Sequence, residues 1–178
     1  MSKIAKRIGT LTPAQQSAFV QVHVRGRIRS IQSALHRHTY SDLAVAAVFS
    51  RAIASFLGVG TRQGRLCADR DYFQHAPDQS WEVKVEDVGG RFVDLNSLSS
   101  ADKSALEEGI NETNTAFAHL TFWSDSSNQD ECGVATESYI QSQADRIRRF
   151  AETVIRLSYD HTNYDKTANV VRPSPRNG

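Results

Sequence analysis

The sequence has little cysteine and proline, and it contains no long hydrophobic run. Its two cysteines, Cys67 and Cys132, lie far apart and match no metal-binding spacing. No apolar run approaches the ~18 residues of a membrane span, and the first residues lack the apolar segment of a signal peptide. These absences argue against a disulfide scaffold, a membrane protein and an exported protein. They predict a cytoplasmic protein with reduced thiols and no membrane partner.

Motifs for cofactors and metals are also missing. The glycines at 58, 60 and 64 are not followed by the Lys-Ser/Thr pair of a phosphate-binding loop, and no serine or cysteine lies in a nucleophile elbow. His36 and His38 lie two residues apart, and on a helix such positions point about 200° away from each other. We therefore expect no cofactor and no metal site.

Acidic residues are absent from residues 1–41, although the whole chain has a formal net charge of only +1. That segment holds seven lysines and arginines and three histidines, whereas residues 69–137 carry fifteen acidic and four basic residues. Residues 138–178 are again basic, with seven basic and four acidic residues. A basic first element on a nearly neutral chain predicts a polyanion or an acidic partner.

A chain of 178 residues is long enough for one domain with its own core. Composition divides it into a flexible basic arm (1–11), a single helical domain (12–161) and a disordered C-terminal tail (162–178). The tail has two prolines and no periodic apolar pattern.

Apolar periodicity predicts four principal helices, over residues 13–38, 42–57, 100–122 and 136–159. Thr12, Pro13 and Gln15 form a capping-box pattern at the first helix, and Ser41 and Gly58 are the expected caps of the second. Alternating residues at 81–85 and 92–95, separated by a pair of glycines, predict a β-hairpin. The expected fold is mainly α, a helical bundle of about four principal helices with a small inserted β-hairpin.

The apolar stripes of the first and last helices are narrow and long. In the first helix the stripe consists of Val20, Val24, Ile28, Ile31 and Leu35. Stripes of this shape often form helix–helix interfaces, so we expect a homodimer.

A short run in the third helix is similar to a known site. Residues 114–121, N-T-A-F-A-H-L-T, resemble the site helix of HEPN domains, which are small all-α proteins. Active HEPN members carry an arginine, with a histidine about five residues later, and cleave RNA without a metal across a dimer interface. The resemblance places Asn114 at the arginine position and His119 at the histidine position. Asparagine departs from the pattern because it lacks the positive charge that stabilises a phosphorane-like transition state.

The resemblance implies an RNA-binding protein or a metal-independent ribonuclease. His119 would then act as the acid and base, and Asn114 would orient the phosphate. Arg25 and Arg29, or Arg156, would supply the missing charge.

The basic first helix supplies the other candidate binding residues. They are Arg25, Arg27, Arg29 and His36, to which Arg156 of the last helix is added. Arginine forks suit carboxylates and phosphates equally, so the helix is expected to pair with the acidic middle of the chain, with a dimer mate or with nucleic acid. The aromatic interleaving of a single-strand binder is absent from this helix.

No complete catalytic set is present, so the sequence favours a binding protein. The expected function is that of a non-catalytic cytoplasmic binding or scaffold protein, homodimeric, with the basic first helix as an interface. The alternative is a HEPN-like RNA-binding protein or ribonuclease. The expected partners are a second copy of the chain, an acidic protein or RNA.

Overall fold

A computed structural model describes residues 2–4, 11–37, 39–70, 72–75, 80–114 and 137–162 of the chain. The described helices are α1 (Pro13–Phe19), α2 (Arg25–Leu35), α3 (Tyr40–Phe56), α4 (Ser100–Glu112) and α5 (Glu137–His161). The strands are β1 (Ser2–Ile4), β2 (Val59–Arg62), β3 (Arg65–Ala68), β4 (Tyr72–His75) and β5 (Ser80–Trp81). This architecture confirms a mainly α bundle with a small inserted β-hairpin.

α1 and α2 form one continuous helix, because the segment between them, Val20–Val24, is π-helical. The helix begins as expected. The Thr12 side chain accepts from the Gln15 backbone N–H, and the Gln15 side chain accepts from the Thr12 backbone N–H. This capping box, with Pro13 in the first turn, satisfies N–H groups that have no partner within the helix. We call the whole of 13–35 the first helix.

α3 differs from the expectation at its N-terminal end only. Its N-cap is Thr39, whose hydroxyl accepts from the Asp42 backbone N–H, and not Ser41. At the other end Gly58 has a φ of +79°, as expected for a glycine that ends a helix. A Cβ at that position would lie 2.4 Å from the ring of Phe92, so the close packing also requires glycine there.

The β-hairpin lies elsewhere than the sequence pattern predicted. Residues 85–88 form a 3-10 helix capped by Gly89, and residues 91–94 are not a strand, so the expected pairing of 81–85 with 92–95 is wrong. Val85, Val88 and Val93 are all buried in one core and do not alternate between two faces.

The actual hairpin pairs β2 with β3, in a segment that was expected to be a loop. Its two turn residues, Gln63 and Gly64, both have positive φ, which is the geometry of a type I′ turn. α4 holds the hairpin in place: the Leu66 N–H donates to Glu107, and the Asn111 amide donates to the Gly64 carbonyl at 2.7 Å.

A second, three-stranded sheet has the order β1-β4-β5 and is antiparallel throughout. β1 belongs to the segment that was expected to be a flexible arm, and it pairs with β4 in the register Ser2 to Gln74. The rest of the arm and most of the expected tail lie outside the described residues, so the three-part division of the chain stays a prediction.

The core lies between the first helix, α3, α4 and α5, and the predicted stripes form it. Val20, Val24, Ile28 and Ile31 are buried, as are Ile147, Val154 and Leu157 of α5. Both stripes therefore pack within one chain, and neither is left to contact a partner. The homodimer stays a prediction, but it needs a different surface. None of the described helices combines the length and hydropathy that crossing a bilayer requires.

Candidate functional site

A cleft of about 940 Å³ opens between the first helix, the C-terminal half of α3 and the β2–β3 hairpin. Residues 82 and 83 and the end of α4 complete its walls. Its volume is within the range of small-molecule sites. Because three arginines line it, we call it the arginine cleft.

The three arginines come from three different elements. Arg27 lies on the first helix, Arg51 on α3 and Arg62 on β2, and all three line the cleft. Arg51 and Arg62 are exposed, and Arg27 is half-buried. Among the described residues, none of the three pairs with a carboxylate. We call these three residues the rim.

Aromatic rings form one wall of the cleft. The Phe19 ring lies 4.9 Å from the His23 ring and 5.9 Å from the Phe56 ring, measured between centroids. The Arg27 guanidinium lies over the Phe49 ring at 5.8 Å, which is within cation–π distance. The first helix itself lacks aromatic interleaving, but α3 places Phe49 and Phe56 beside it.

The floor of the cleft consists of Ser55, Asp69 and Glu82, with Lys84 beneath them. Lys84 is completely buried, and its Nζ lies 3.2 Å from Glu82 Oε1 and 3.6 Å from Asp69 Oδ2. The same Nζ donates to the Ser55 carbonyl at 2.9 Å and to Ser55 Oγ at 3.1 Å. The three ammonium protons are thus matched by three near acceptors, which is what a buried lysine requires.

The floor keeps acceptors that no group in the described part of the chain satisfies. Ser55 Oγ donates to Glu82 Oε1 at 2.8 Å, but Glu82 Oε2 is buried without a hydrogen-bond partner. Asn114 Oδ1, which also borders the cleft, is buried and unpartnered as well. A buried acceptor without a donor costs about 1–3 kcal/mol, and more when it is charged. The floor, with two carboxylates and one ammonium, is therefore suited to a hydrogen-bond donor.

Two helices widen into π-helical turns where they border the cleft. One turn, Val20–Val24, contributes His23 and Val24, and the other, at 113–114, contributes Asn114. Single π-helical turns weaken the regular hydrogen-bond pattern and occur often at functional sites. Their coincidence at one cavity supports a site here.

Among the described residues, the acidic side chains of α4 form ion pairs with the last helix and not with the first. Three ion pairs join α4 to α5: Arg146 with Glu112, Arg149 with Glu108, and Arg156 with Asp102. Arg25 instead donates to Gln21, Arg27 donates to the His23 carbonyl, and Arg29 is exposed. Arg25, Arg27 and Arg29 therefore have no acidic partner within the described part of the chain. Asp78, Asp125, Asp130 and Glu131 lie outside it, so the expected pairing stays a prediction.

Asp102 shows the strength of the α4–α5 contact. Partial burial acts to raise the pKa of its carboxyl, but hydrogen bonds from Ser99 and Arg156, together with the Arg156 charge, hold that pKa below its ordinary value. Arg156 also approaches Asp160 at 3.7 Å. Its charge is thus committed to two carboxylates, which leaves little of it for an external ligand.

The candidate residues named from the sequence fall into three places. Arg27 and Asn114 meet in the arginine cleft. His36 and Arg156 line a separate groove of about 420 Å³ between the first helix and α5. Arg25 and Arg29 line neither cavity, and His119 lies outside the described residues.

Sequence reasoning missed most of the cleft, namely Arg51, Arg62, Ser55, Asp69, Glu82 and Lys84. One weak signal was available, because Lys84 stands between Val83 and Val85. Glu82 and Glu86 nevertheless make the segment alternate in the way that a half-exposed strand does. Nothing in the sequence linked Lys84 to Ser55, which lies 29 residues earlier.

Cys67 is a free, half-buried thiol that lines the cleft. Among the residues that the structure describes, no three His, Cys, Asp or Glu side chains gather as metal ligands. Comparison with known proteins found no matching family model, no matching curated protein and no matching solved structure.

Proposed function

We propose that the chain is a non-catalytic binding protein that holds a phosphate-bearing ligand in the arginine cleft. The observation that carries this proposal is the convergence of Arg27, Arg51 and Arg62 on one cavity without a carboxylate partner in the described part of the chain. Three guanidinium groups outweigh the single net negative charge of the floor, so the cleft as a whole attracts an anion.

The shape of the site favours a phosphate group over an acidic protein surface. Arginine forks bind both phosphates and carboxylates in two-point contacts. The cleft, however, is concave and extends to the core residues Val24, Ile53 and Ile110. A compact ligand fills such a space better than the flat face of a folded partner.

A cytoplasmic location, proposed from the sequence, fits the free thiol of Cys67.

The arrangement of the floor supports binding without catalysis. Lys84 is held by Ser55, Asp69 and Glu82, so it is not a free base for the Ser55 hydroxyl. RNA binding or cleavage, which the HEPN resemblance implies, is the alternative. It gains support from the position of Asn114 in the cleft, and it depends on His119.

The proposal is tested by titrating the protein with inorganic pyrophosphate in a calorimeter. The variant Arg51→Ala/Arg62→Ala is expected to bind about tenfold more weakly than the wild type, because charge-assisted hydrogen bonds contribute ~1.5–3 kcal/mol and these side chains are partly solvated. Arg29→Ala, on the same basic helix but outside the cleft, is the control and keeps the wild-type affinity.

If the control and the double variant lost pyrophosphate affinity equally, binding would be to the basic surface in general. That result would contradict the proposed site. Cleavage of a short single-stranded RNA that His119→Ala abolishes would favour the HEPN-like alternative. Affinity that does not fall with added salt would exclude phosphate contacts altogether.

Self-association is a second candidate function, and one surface of the first helix favours it. Val22 is 65% exposed, the largest value among the exposed large apolar side chains of the described residues. Arg25 and Arg29 follow it by three and seven residues, so all three lie on one face of the helix. We propose this face as the contact between two copies of the chain.

Val22→Glu is expected to convert a dimer to a monomer, since a carboxylate would be buried in the contact. Light scattering coupled to size exclusion measures the change in mass. Ser41→Glu adds the same charge at an exposed position of α3 and is expected to leave the mass unchanged. A wild-type protein that is monomeric at high concentration would rule this candidate out.

A further inference from the structure

The rim and the floor of the arginine cleft require opposite chemistry from a ligand. The rim presents three guanidinium groups, whereas the floor presents oxygen acceptors around a single ammonium. A simple anion satisfies the rim alone. A ligand that satisfies both needs an anionic group at one end and hydrogen-bond donors at the other.

The donors are needed at two specific atoms. Among the described residues, neither Glu82 Oε2 nor Asn114 Oδ1 has a hydrogen-bond partner. Both atoms are buried, and both side chains border the cleft. An amino group carries two protons and can therefore donate to two acceptors at once, which neither a carbonyl nor an ether can do.

The wall between rim and floor is suited to a flat ring. Three aromatic side chains lie together there: the Phe19 ring centroid is 4.9 Å from that of His23 and 5.9 Å from that of Phe56. Bases stack on such aromatic platforms with a gain of about 1–3 kcal/mol per base. The volume of about 940 Å³ accommodates a base, a sugar and a phosphate.

We infer that the ligand is a nucleotide whose base carries an exocyclic amino group, and that Glu82 and Asn114 select that group. The inference rests on the proposed function, since the phosphate contacts the rim. It adds a rule of specificity: cytosine and adenine nucleotides bind better than uracil and hypoxanthine nucleotides. The keto oxygen of the latter two would face the acceptor oxygens of the floor and leave them unpaired.

The test compares matched nucleotide pairs by isothermal titration calorimetry. The wild type is expected to bind CMP about tenfold more tightly than UMP, and AMP about tenfold more tightly than IMP, which is the size of discrimination that a good two-point base contact provides. In Glu82→Gln the preference is expected to disappear, because the new amide can donate to a keto oxygen as well as accept from an amino group.

Two further variants make the result specific. Asn114→Leu keeps the size of the side chain but removes an acceptor, so it is expected to reduce the ratio of CMP affinity to UMP affinity. This variant tests the inference independently if Glu82→Gln unfolds the floor. Glu86→Gln, an exposed position four residues along the chain, is the control and keeps the wild-type ratio. Thermal unfolding of each variant separates loss of selectivity from loss of structure.

Each outcome has a definite meaning. The inference is overturned if the wild type binds CMP and UMP with equal affinity and AMP and IMP with equal affinity. It is also overturned if both Glu82→Gln and Asn114→Leu keep the wild-type affinity ratios. If pyrophosphate binds and the nucleotides show no preference, the proposed function stands and only this specificity falls. If neither pyrophosphate nor any nucleotide binds, both the proposed function and the inference fail.

Discussion

Replacing Lys84 with methionine is expected to lower the free energy of unfolding by about 3 kcal/mol. The side chain is completely buried, and methionine has a similar length and fits the same space. What changes is the charge, because Asp69 and Glu82 lose the ammonium group that lies 3.6 and 3.2 Å from them. The Ser55 carbonyl also loses one of its donors, although it still accepts from the Gly58 backbone N–H.

The expected loss of stability in Lys84→Met is at the lower end of the ~3–5 kcal/mol that breaking a buried ion pair costs. The reason is that Asp69 and Glu82 keep 28% and 25% of their side-chain surface exposed, so water reduces their repulsion. Chemical denaturation followed by circular dichroism measures the effect. Lys103→Met is the matched control, because this half-buried lysine of α4 forms no ion pair with a described residue, and the change is expected to alter stability by less than about 0.5 kcal/mol.

A compensated variant identifies the cause of the loss. Adding Asp69→Asn and Glu82→Gln to Lys84→Met removes the unpaired charges, and at least half of the lost stability is expected to return. If Lys84→Met alone lost less than about 1 kcal/mol, Lys84 would not be the counter-ion of the floor. If the compensated variant recovered nothing, the loss would be one of packing and not of charge.

The helices were predictable because their signals are local. Thr12, Pro13 and Gln15 stand next to each other and fix the start of the first helix, and the spacing of Val20, Val24, Ile28 and Ile31 identifies its buried face. The hairpin was missed because its turn, Gln63-Gly64, departs from the usual Asn-Gly. At 81–95 the alternation of apolar residues imitated strands, whereas the core of the bundle buries those residues in irregular backbone.

The cleft could not be predicted because no single segment contains it. Arg27, Arg51, Arg62 and Glu82 come from four segments that the fold brings together, and each alone is typical of a protein surface. The segregation of charge predicts that the first helix binds an anion, and this stays a prediction. It did not predict that the arginines of α5 already pair with the acidic α4, which is why the cations of the first helix remain without carboxylate partners in the described part of the chain.

The packing that keeps α4 against α5 depends on a glycine. Gly109 lies in the interior of α4, and a Cβ built there would lie 2.1 Å from Cγ of Phe150 and 2.4 Å from its Cβ. Phe150 is completely buried, so its ring has no free space to move into. The Cβ contact also fixes the α5 backbone, because a rotation of the ring does not move that atom.

Gly109→Ala is therefore expected to destabilise the protein by about 2 kcal/mol, since overpacking costs ~1–3 kcal/mol or more and exceeds the ~1 kcal/mol that alanine gains in helix propensity. Gly26→Ala is a matched control in α2. A Cβ there would have no atom within 4 Å, so the propensity gain is expected to stabilise the protein by about 0.5–1 kcal/mol. Urea unfolding of both variants compares the two effects, which have opposite signs.

The double variant Gly109→Ala/Phe150→Ala checks that the loss arises from this contact. Alanine at position 150 removes Cγ and the ring, so it takes away the atom nearest to the new methyl group and leaves only the Cβ contact. Adding it to Gly109→Ala is expected to cost less than Phe150→Ala costs in the wild type, with a coupling free energy of about 1 kcal/mol. A Gly109→Ala protein as stable as the Gly26→Ala protein would mean that α4 and α5 pack less closely than described. The end of α4 would then no longer fix Asn114 at the wall of the arginine cleft, and the amino-group selectivity would be expected to weaken with it.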